Sequence, residues 1–146
     1  MSDALPPKLT ASATEAARLD FEDRLGEASA WVEWLQAGAP GATGCVVCAS
    51  AGATDSHHVA GRLASDLTIP VCVPCHRRLT ERQNGWDPRW LSEGRSPELD
   101  RSLLVRGLSD LCEERGRFDG AYHALAKRLR GQYARLARVT VTLGAA

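Results

Sequence analysis

Residues 44–80 read GCVVCASAGATDSHHVAGRLASDLTIPVCVPCHRRLT and contain four of the five cysteines and three of the four histidines of the chain. This stretch contains two Cys-x-x-Cys pairs, Cys45 with Cys48 and Cys72 with Cys75, which are separated by 23 residues. Both thiolates of such a pair can reach one ion, and two pairs supply the tetrahedral sulfur set that structural zinc prefers. The spacing therefore predicts one structural Zn²⁺ site with no coordination position open to a substrate. The alternative is four unrelated buried cysteines.

Three of the four histidines lie in or beside this segment. His57 and His58 are adjacent between the cysteine pairs, and His76 directly follows the second pair. Zinc binding would close the intervening loop and bring the pair back towards His76. We therefore predict a second, histidine-based site, with purely structural histidines as the alternative.

The second cysteine pair also forms the motif Cys72-Val-Pro-Cys75-His76, which matches c-type haem attachment. Such attachment follows export, and the first residues lack the apolar core of a secretory signal. Met1 is the only methionine, so the common axial ligand is missing, and haem would leave the first cysteine pair unexplained. Haem attachment is therefore the third hypothesis.

Composition indicates one ordinary soluble domain: 146 residues, 44% of them hydrophobic and 25% charged. No apolar run approaches the roughly 20 residues of a membrane helix, so we expect no membrane partner and a cytoplasmic location. The net charge is zero, but the chain after Asp119 has no acidic residue and five basic ones. That asymmetry allows one face to attract phosphate, although a solvated helix face would have the same pattern.

The chain divides into a helical segment over 1–43, a zinc-bearing centre over 44–92 and basic helices over 93–146, all expected to form one compact α+β unit. Start and stop signals predict its helices. They run from the capping box at Ser12 to Gly38, from Pro74 to Asn84, from Ser96-Pro97 to Gly116, and onward from Asp119. The alternating residues 139–143 predict a short strand at the end of the chain.

Residues 44–90 resemble the HNH endonucleases, the ββα-metal or His-Me finger family. The resemblance rests on the His57-His58 pair, both cysteine pairs and the final Cys75-His76 in the family's order. It implies a zinc-braced ββα finger in which a β-hairpin presents the first motif and the following helix presents the last histidine. It also implies that His58 is the general base and that His57 and His76 bind a catalytic divalent cation.

The chain departs from this family at the middle position, which is usually Asn. The resemblance leaves Thr68, or alternatively Asp66, to brace the catalytic loop. Imidazole ligands would let Mn²⁺, Ni²⁺ or Zn²⁺ compete with Mg²⁺ for the catalytic position. Neighbours on an ideal strand point to opposite faces, so both histidines share one site only if the strand ends or bulges near Gly61. The roles of the two histidines could also be exchanged.

These features favour a metal-dependent endonuclease, a hydrolase acting on nucleic acid and by expectation on DNA. The alternative is a non-catalytic zinc module that binds nucleic acid or a protein partner. Basic side chains near the histidines and on the last helix are the candidates for phosphate contacts. They are Arg62, Arg77, Arg78 and Arg82 in the first group, and Arg128, Arg135 and Arg138 in the second.

Overall fold

The computed structural model describes residues 7–87 and 96–144, with side chains described over 14–87 and 96–136. The described chain is α+β, as predicted, and combines four helices with a two-stranded antiparallel sheet. Within these ranges no helix is both long and apolar enough to cross a membrane. In chain order the elements are α1 (Pro7–Gln36), β1 (Asp55–His58), β2 (Thr68–Val71), α2 (Val73–Asn84), α3 (Pro97–Arg115) and α4 (Gly120–Gly144).

The predicted starts of the two C-terminal helices are confirmed by their caps. The Ser96 hydroxyl accepts a hydrogen bond from the Leu99 N–H at 3.1 Å, which satisfies one free donor in the first turn of α3. The Asp119 carboxylate accepts a bond from the Ala121 N–H at 3.0 Å in the same way at α4. The positions that begin these helices were therefore readable from residue type.

Two predicted boundaries are wrong. Helix α1 begins at Pro7 and not at Ser12, and proline is well suited to a first helical position. Residues 139–143 continue α4 as helix instead of forming a strand. In the described chain β1 and β2 pair only with each other, so a strand here would have no partner for its backbone groups. A helix satisfies those groups locally.

The hairpin sets the position of the histidine pair. Register pairs His57 with Ile69 and His58 with Thr68, so β1 ends where β2 begins. The chain then turns sharply, because the Gly61 N–H donates to the His58 carbonyl at 3.2 Å and Gly61 has a φ of +82°. A positive φ suits glycine, and the predicted turn at this residue is confirmed.

The hydrophobic core joins the hairpin to the helices. Helices α3 and α4 pack together, and α1 packs on α4. The core extends to the cysteine-bearing turn and to the hairpin, which gives the small sheet the burial that two strands cannot supply alone. Its fully buried members include Leu35, Val47, Val59, Ile69, Leu79, Leu108, Leu111 and Cys112.

Helix α3 approaches the hairpin at a glycine. A Cβ atom added at Gly107 would overlap the Val59 carbonyl oxygen. The helix backbone thus lies directly against the chain that leaves His58, and only the absence of a side chain permits this approach. Position 107 therefore fixes how closely α3 supports the end of β1.

Candidate metal centre and histidine cluster

The four cysteines form one cluster. Cys45 and Cys48 lie in a turn that precedes β1. Cys72 connects β2 to α2, and Cys75 lies in the first turn of α2. All four sulfur atoms lie within 4.8 Å of one another, and the Sγ atoms of Cys48 and Cys72 are 3.7 Å apart. A zinc ion with Zn–S bonds of about 2.3 Å has tetrahedral S···S edges of about 3.8 Å. The cluster therefore fits a structural metal such as zinc, as the sequence predicts.

The acidities of these thiols also fit a cation. Hydrogen bonds to Ser50 lower the pKa of Cys48 to about 6, whereas burial raises the pKa of Cys75 far above its usual range. A dication favours the thiolate form at every ligand and so offsets the penalty at Cys75. Metal binding at this cluster should consequently release protons.

A second cluster forms where the hairpin meets α2. The rings of His57 on β1 and His76 in the first turn of α2 have centroids 5.5 Å apart. Asp55 lies two residues before His57, on the same side of the strand. Its Oδ2 is 3.1 Å from His76 Nδ1, and the carboxylate can accept the ring N–H there. That bond leaves Nε2 of His76 available as a ligand atom.

His57 is a neutral histidine. Only 2% of its surface is exposed, and burial, followed by the neighbouring His76 and His58, lowers its pKa to about 4. An imidazole coordinates a metal through an unprotonated nitrogen, so this histidine is in the binding form at neutral pH. At the junction of β1 and α2 the His76 imidazole thus lies beside both the His57 ring and the Asp55 carboxylate.

His58 occupies the last position of β1, and its carbonyl has two donors. The Gly61 N–H donates to it across the turn, and Gln83 Nε2 donates to it from α2 at 2.8 Å. Gln83 Nε2 also lies 3.4 Å from the Val59 carbonyl. Gln83 is not among the site residues that the sequence predicts. Its spacing of seven residues from His76, which places both on one face of α2, is the signal that could have found it.

The loop-bracing role predicted for Thr68 stays a prediction. Thr68 pairs with His58 across the hairpin, and Asp66 is exposed nearby. Among the side-chain hydrogen bonds formed within residues 14–87 and 96–136, none joins either residue to the turn after β1. The amide that reaches this turn belongs to Gln83.

The four arginines near the histidines fall into two groups. Arg78 and Arg82 donate to the carboxylate of Glu114 at 3.2 and 2.8 Å, and this carboxylate is buried in α3. They therefore fasten α2 to α3. By contrast, Arg62 and Arg77 are exposed and join none of the ion pairs formed within the described side chains. Their cationic groups are accessible to a phosphate.

Helix α4 carries the other basic group. Arg128 and Arg135 are exposed and seven residues apart, so they lie on one face of the helix. Arg130 instead pairs with Glu113 at 3.3 Å. The side chain of Arg138 lies outside the described residues. A basic surface on α4 thus includes two positions with no acidic partner among the described side chains.

Comparison with known proteins identifies no relative of this chain. No protein-family profile, no curated protein and no solved structure matches the chain.

Asp55 provides a direct test of the histidine cluster as a metal site. In Asp55→Asn the acceptor for the His76 ring N–H is weakened, and we expect the affinity for Mn²⁺ to fall about 10- to 100-fold. Calorimetric titration of the zinc-loaded protein measures it. Asp23→Asn, the same charge change at an exposed position of α1, is the control and should leave the affinity unchanged. Equal affinities of both variants would remove Asp55 from the site.

Proposed function

We propose that this protein is a metal-dependent endonuclease of the HNH type that hydrolyses phosphodiester bonds, with DNA as its substrate. The supporting observation is the hairpin-and-helix unit beside the cysteine cluster. It brings Asp55, His57 and His76 together, in the element order that the resemblance implies. The cysteine cluster alone would not favour hydrolysis, because four cysteines leave a metal no open coordination position.

In this proposal each site residue has a separate role in hydrolysis. His57 and His76 hold a divalent cation, and the Asp55 carboxylate orients His76. The cation, when bound, supplies Lewis-acid stabilisation of the phosphate and of the leaving 3′ oxygen. His58 accepts the proton of the attacking water, whose oxygen forms the new bond to phosphorus as the bond to the 3′ oxygen breaks. The departing oxygen then takes a proton from solvent.

The arginines suggest how a polyanion would be positioned. Arg77 lies on the exposed side of the helix that carries His76, and Arg62 lies just beyond the turn after His58. Both can donate to phosphate oxygens without first losing an acidic partner. Arg78 and Arg82 would first have to leave Glu114, so we assign them a structural role and give Arg62 and Arg77 the phosphate contacts.

The decisive experiment is cleavage of supercoiled plasmid by the purified zinc-loaded protein. Mg²⁺, Mn²⁺, Ni²⁺ and added Zn²⁺ are compared with a reaction that contains none of them, and a single-stranded RNA is tested in parallel. Metal-dependent conversion to nicked or linear DNA would support the proposal. If no cation produces cleavage of either nucleic acid, the proposal is wrong.

Substitutions on α4 test the nucleic-acid surface independently of catalysis. Replacing Arg128, Arg135 and Arg138 with Gln should weaken duplex DNA binding, and each lost phosphate contact should reduce the log–log salt slope by about 0.9. Fluorescence anisotropy at several salt concentrations measures the slope. Arg130→Gln is the control, because Arg130 already has an acidic partner. An unchanged slope in the triple variant would identify this surface as a solvated helix face.

The burial of His57 favours a second candidate function. A histidine with 2% of its surface exposed also suits a structural role in a non-catalytic zinc module. Such a module would bind nucleic acid or a protein through its exposed arginines. The same assays separate the two functions, because the module would bind DNA with the same affinity in the presence and absence of Mn²⁺ and would cleave none.

A further inference from the structure

We infer that Gln83 is the positioning residue that fixes the main chain at His58, a role that rests on the nuclease function proposed above. Its side-chain Nε2 donates to the His58 carbonyl at 2.8 Å and lies 3.4 Å from the Val59 carbonyl. Gln83 belongs to the last turn of α2, whereas His76 belongs to the first. One helix therefore supplies a cation ligand near its start and a backbone brace near its end.

The brace matters because of where it acts. The His58 carbonyl accepts bonds from Gln83 and from the Gly61 N–H, which come from different elements and fix the orientation of one peptide group. The next carbonyl, that of Val59, packs against the backbone of α3 at Gly107. The direction of the His58 side chain follows from this backbone. Removing the Gln83 donor leaves the orientation of the imidazole to the turn alone.

Gln83 is chemically suited to this task. Its amide is an uncharged N–H donor, so it holds a carbonyl without raising or lowering the charge beside the proposed base. The chain lacks the family's middle Asn, and the resemblance left its bracing role to Thr68 or Asp66, which lie at or just before the start of β2. The side chain that donates to the strand end instead projects from α2.

Replacement of Gln83 by glutamate tests the role. Gln83→Glu keeps the size of the side chain and removes both N–H donors, so we expect kcat for plasmid nicking to fall about 10- to 100-fold with KM and zinc content unchanged. Gln83→Met removes the donors without adding charge, should show the same loss, and serves if the glutamate variant does not fold. The matched control is Asn84→Asp, the same amide-to-carboxylate change at the adjacent exposed position in the last turn of α2.

A spectroscopic measurement accompanies the kinetics. In the zinc-loaded protein without a catalytic cation, the ¹⁵N signals of the His58 imidazole should shift in both Gln83 variants and not in Asn84→Asp. If the wild type cleaves DNA and both Gln83 variants cleave at its rate, the positioning role is wrong and the nuclease proposal stands. A rise in KM at constant kcat would also overturn it. If the wild type does not cleave nucleic acid, both proposals fail together.

Discussion

Cys45→Ser is expected to lose its zinc and to unfold at a temperature far below that of the wild type. Structural zinc binds with about 10–16 kcal/mol of apparent free energy in small zinc domains, and folded domains are stable by only about 5–15 kcal/mol. Loss of one of four sulfur ligands should therefore cost a large share of the total stability. Metal analysis gives the zinc content, and circular dichroism gives the melting temperature.

Cys112 provides the matched control for this substitution. It is also a buried cysteine, but it lies on α3 and outside the metal cluster. Cys112→Ser should keep one zinc per chain and lose only the smaller stability, about 1–3 kcal/mol, expected when a hydroxyl is buried in an apolar environment. A Cys45→Ser variant with an unchanged melting temperature would contradict the zinc site. Visible absorbance of covalent haem in the wild type would support the haem hypothesis instead.

His58→Ala is expected to abolish detectable DNA cleavage while zinc content and DNA affinity remain those of the wild type. A general base contributes little to binding of the ground state, whereas its assistance is worth about 10²–10⁴-fold in rate. Plasmid nicking measures activity, and anisotropy measures affinity. His123→Ala is the control, because His123 lies on α4, with 46% of its side chain exposed, and pairs with Glu113.

Metal rescue separates the base from the ligands. His57→Ala and His76→Ala should also lose activity, but by weakening the catalytic cation, so high Mn²⁺ or Mg²⁺ should partly restore cleavage. No concentration of metal replaces a missing proton acceptor, so His58→Ala should resist rescue. Equal rescue of all three variants would show that base and ligand have been misassigned. Normal cleavage by His58→Ala would remove the mechanism and leave the zinc module as the better account.

The local signals in the sequence were sufficient for the metal cluster and most helix ends. Cysteine spacing determines which sulfur atoms can meet around one ion, and the caps at Ser96 and Asp119 act within one turn of the chain. Residue type and spacing alone therefore carry this information. The strand predicted at 139–143 was wrong. Alternating apolar and polar residues indicate a single strand, whereas a sheet also needs a second strand to pair with it.

The contacts that shape the histidine cluster depend on elements distant in sequence. The sequence predicts phosphate contacts for Arg78 and Arg82, but it does not show that the Glu114 carboxylate lies against both side chains. Gln83 is not among the predicted site residues, because its acceptor, the His58 carbonyl, lies 25 positions earlier. Residue type shows which groups a side chain can bind. Which group each of these side chains does bind depends on how α2 packs on the hairpin and on α3.

The close approach at Gly107 has a consequence for recognising relatives of this chain. Any side chain there would displace α3 from the Val59 carbonyl, so a protein that keeps this architecture must keep a glycine at the equivalent point. Surface arginines and loop lengths face no such requirement. A search pattern that joins the two cysteine pairs and the histidines to a glycine in the helix after α2, with a variable distance between them, would therefore discriminate this architecture better than the short cysteine motifs alone.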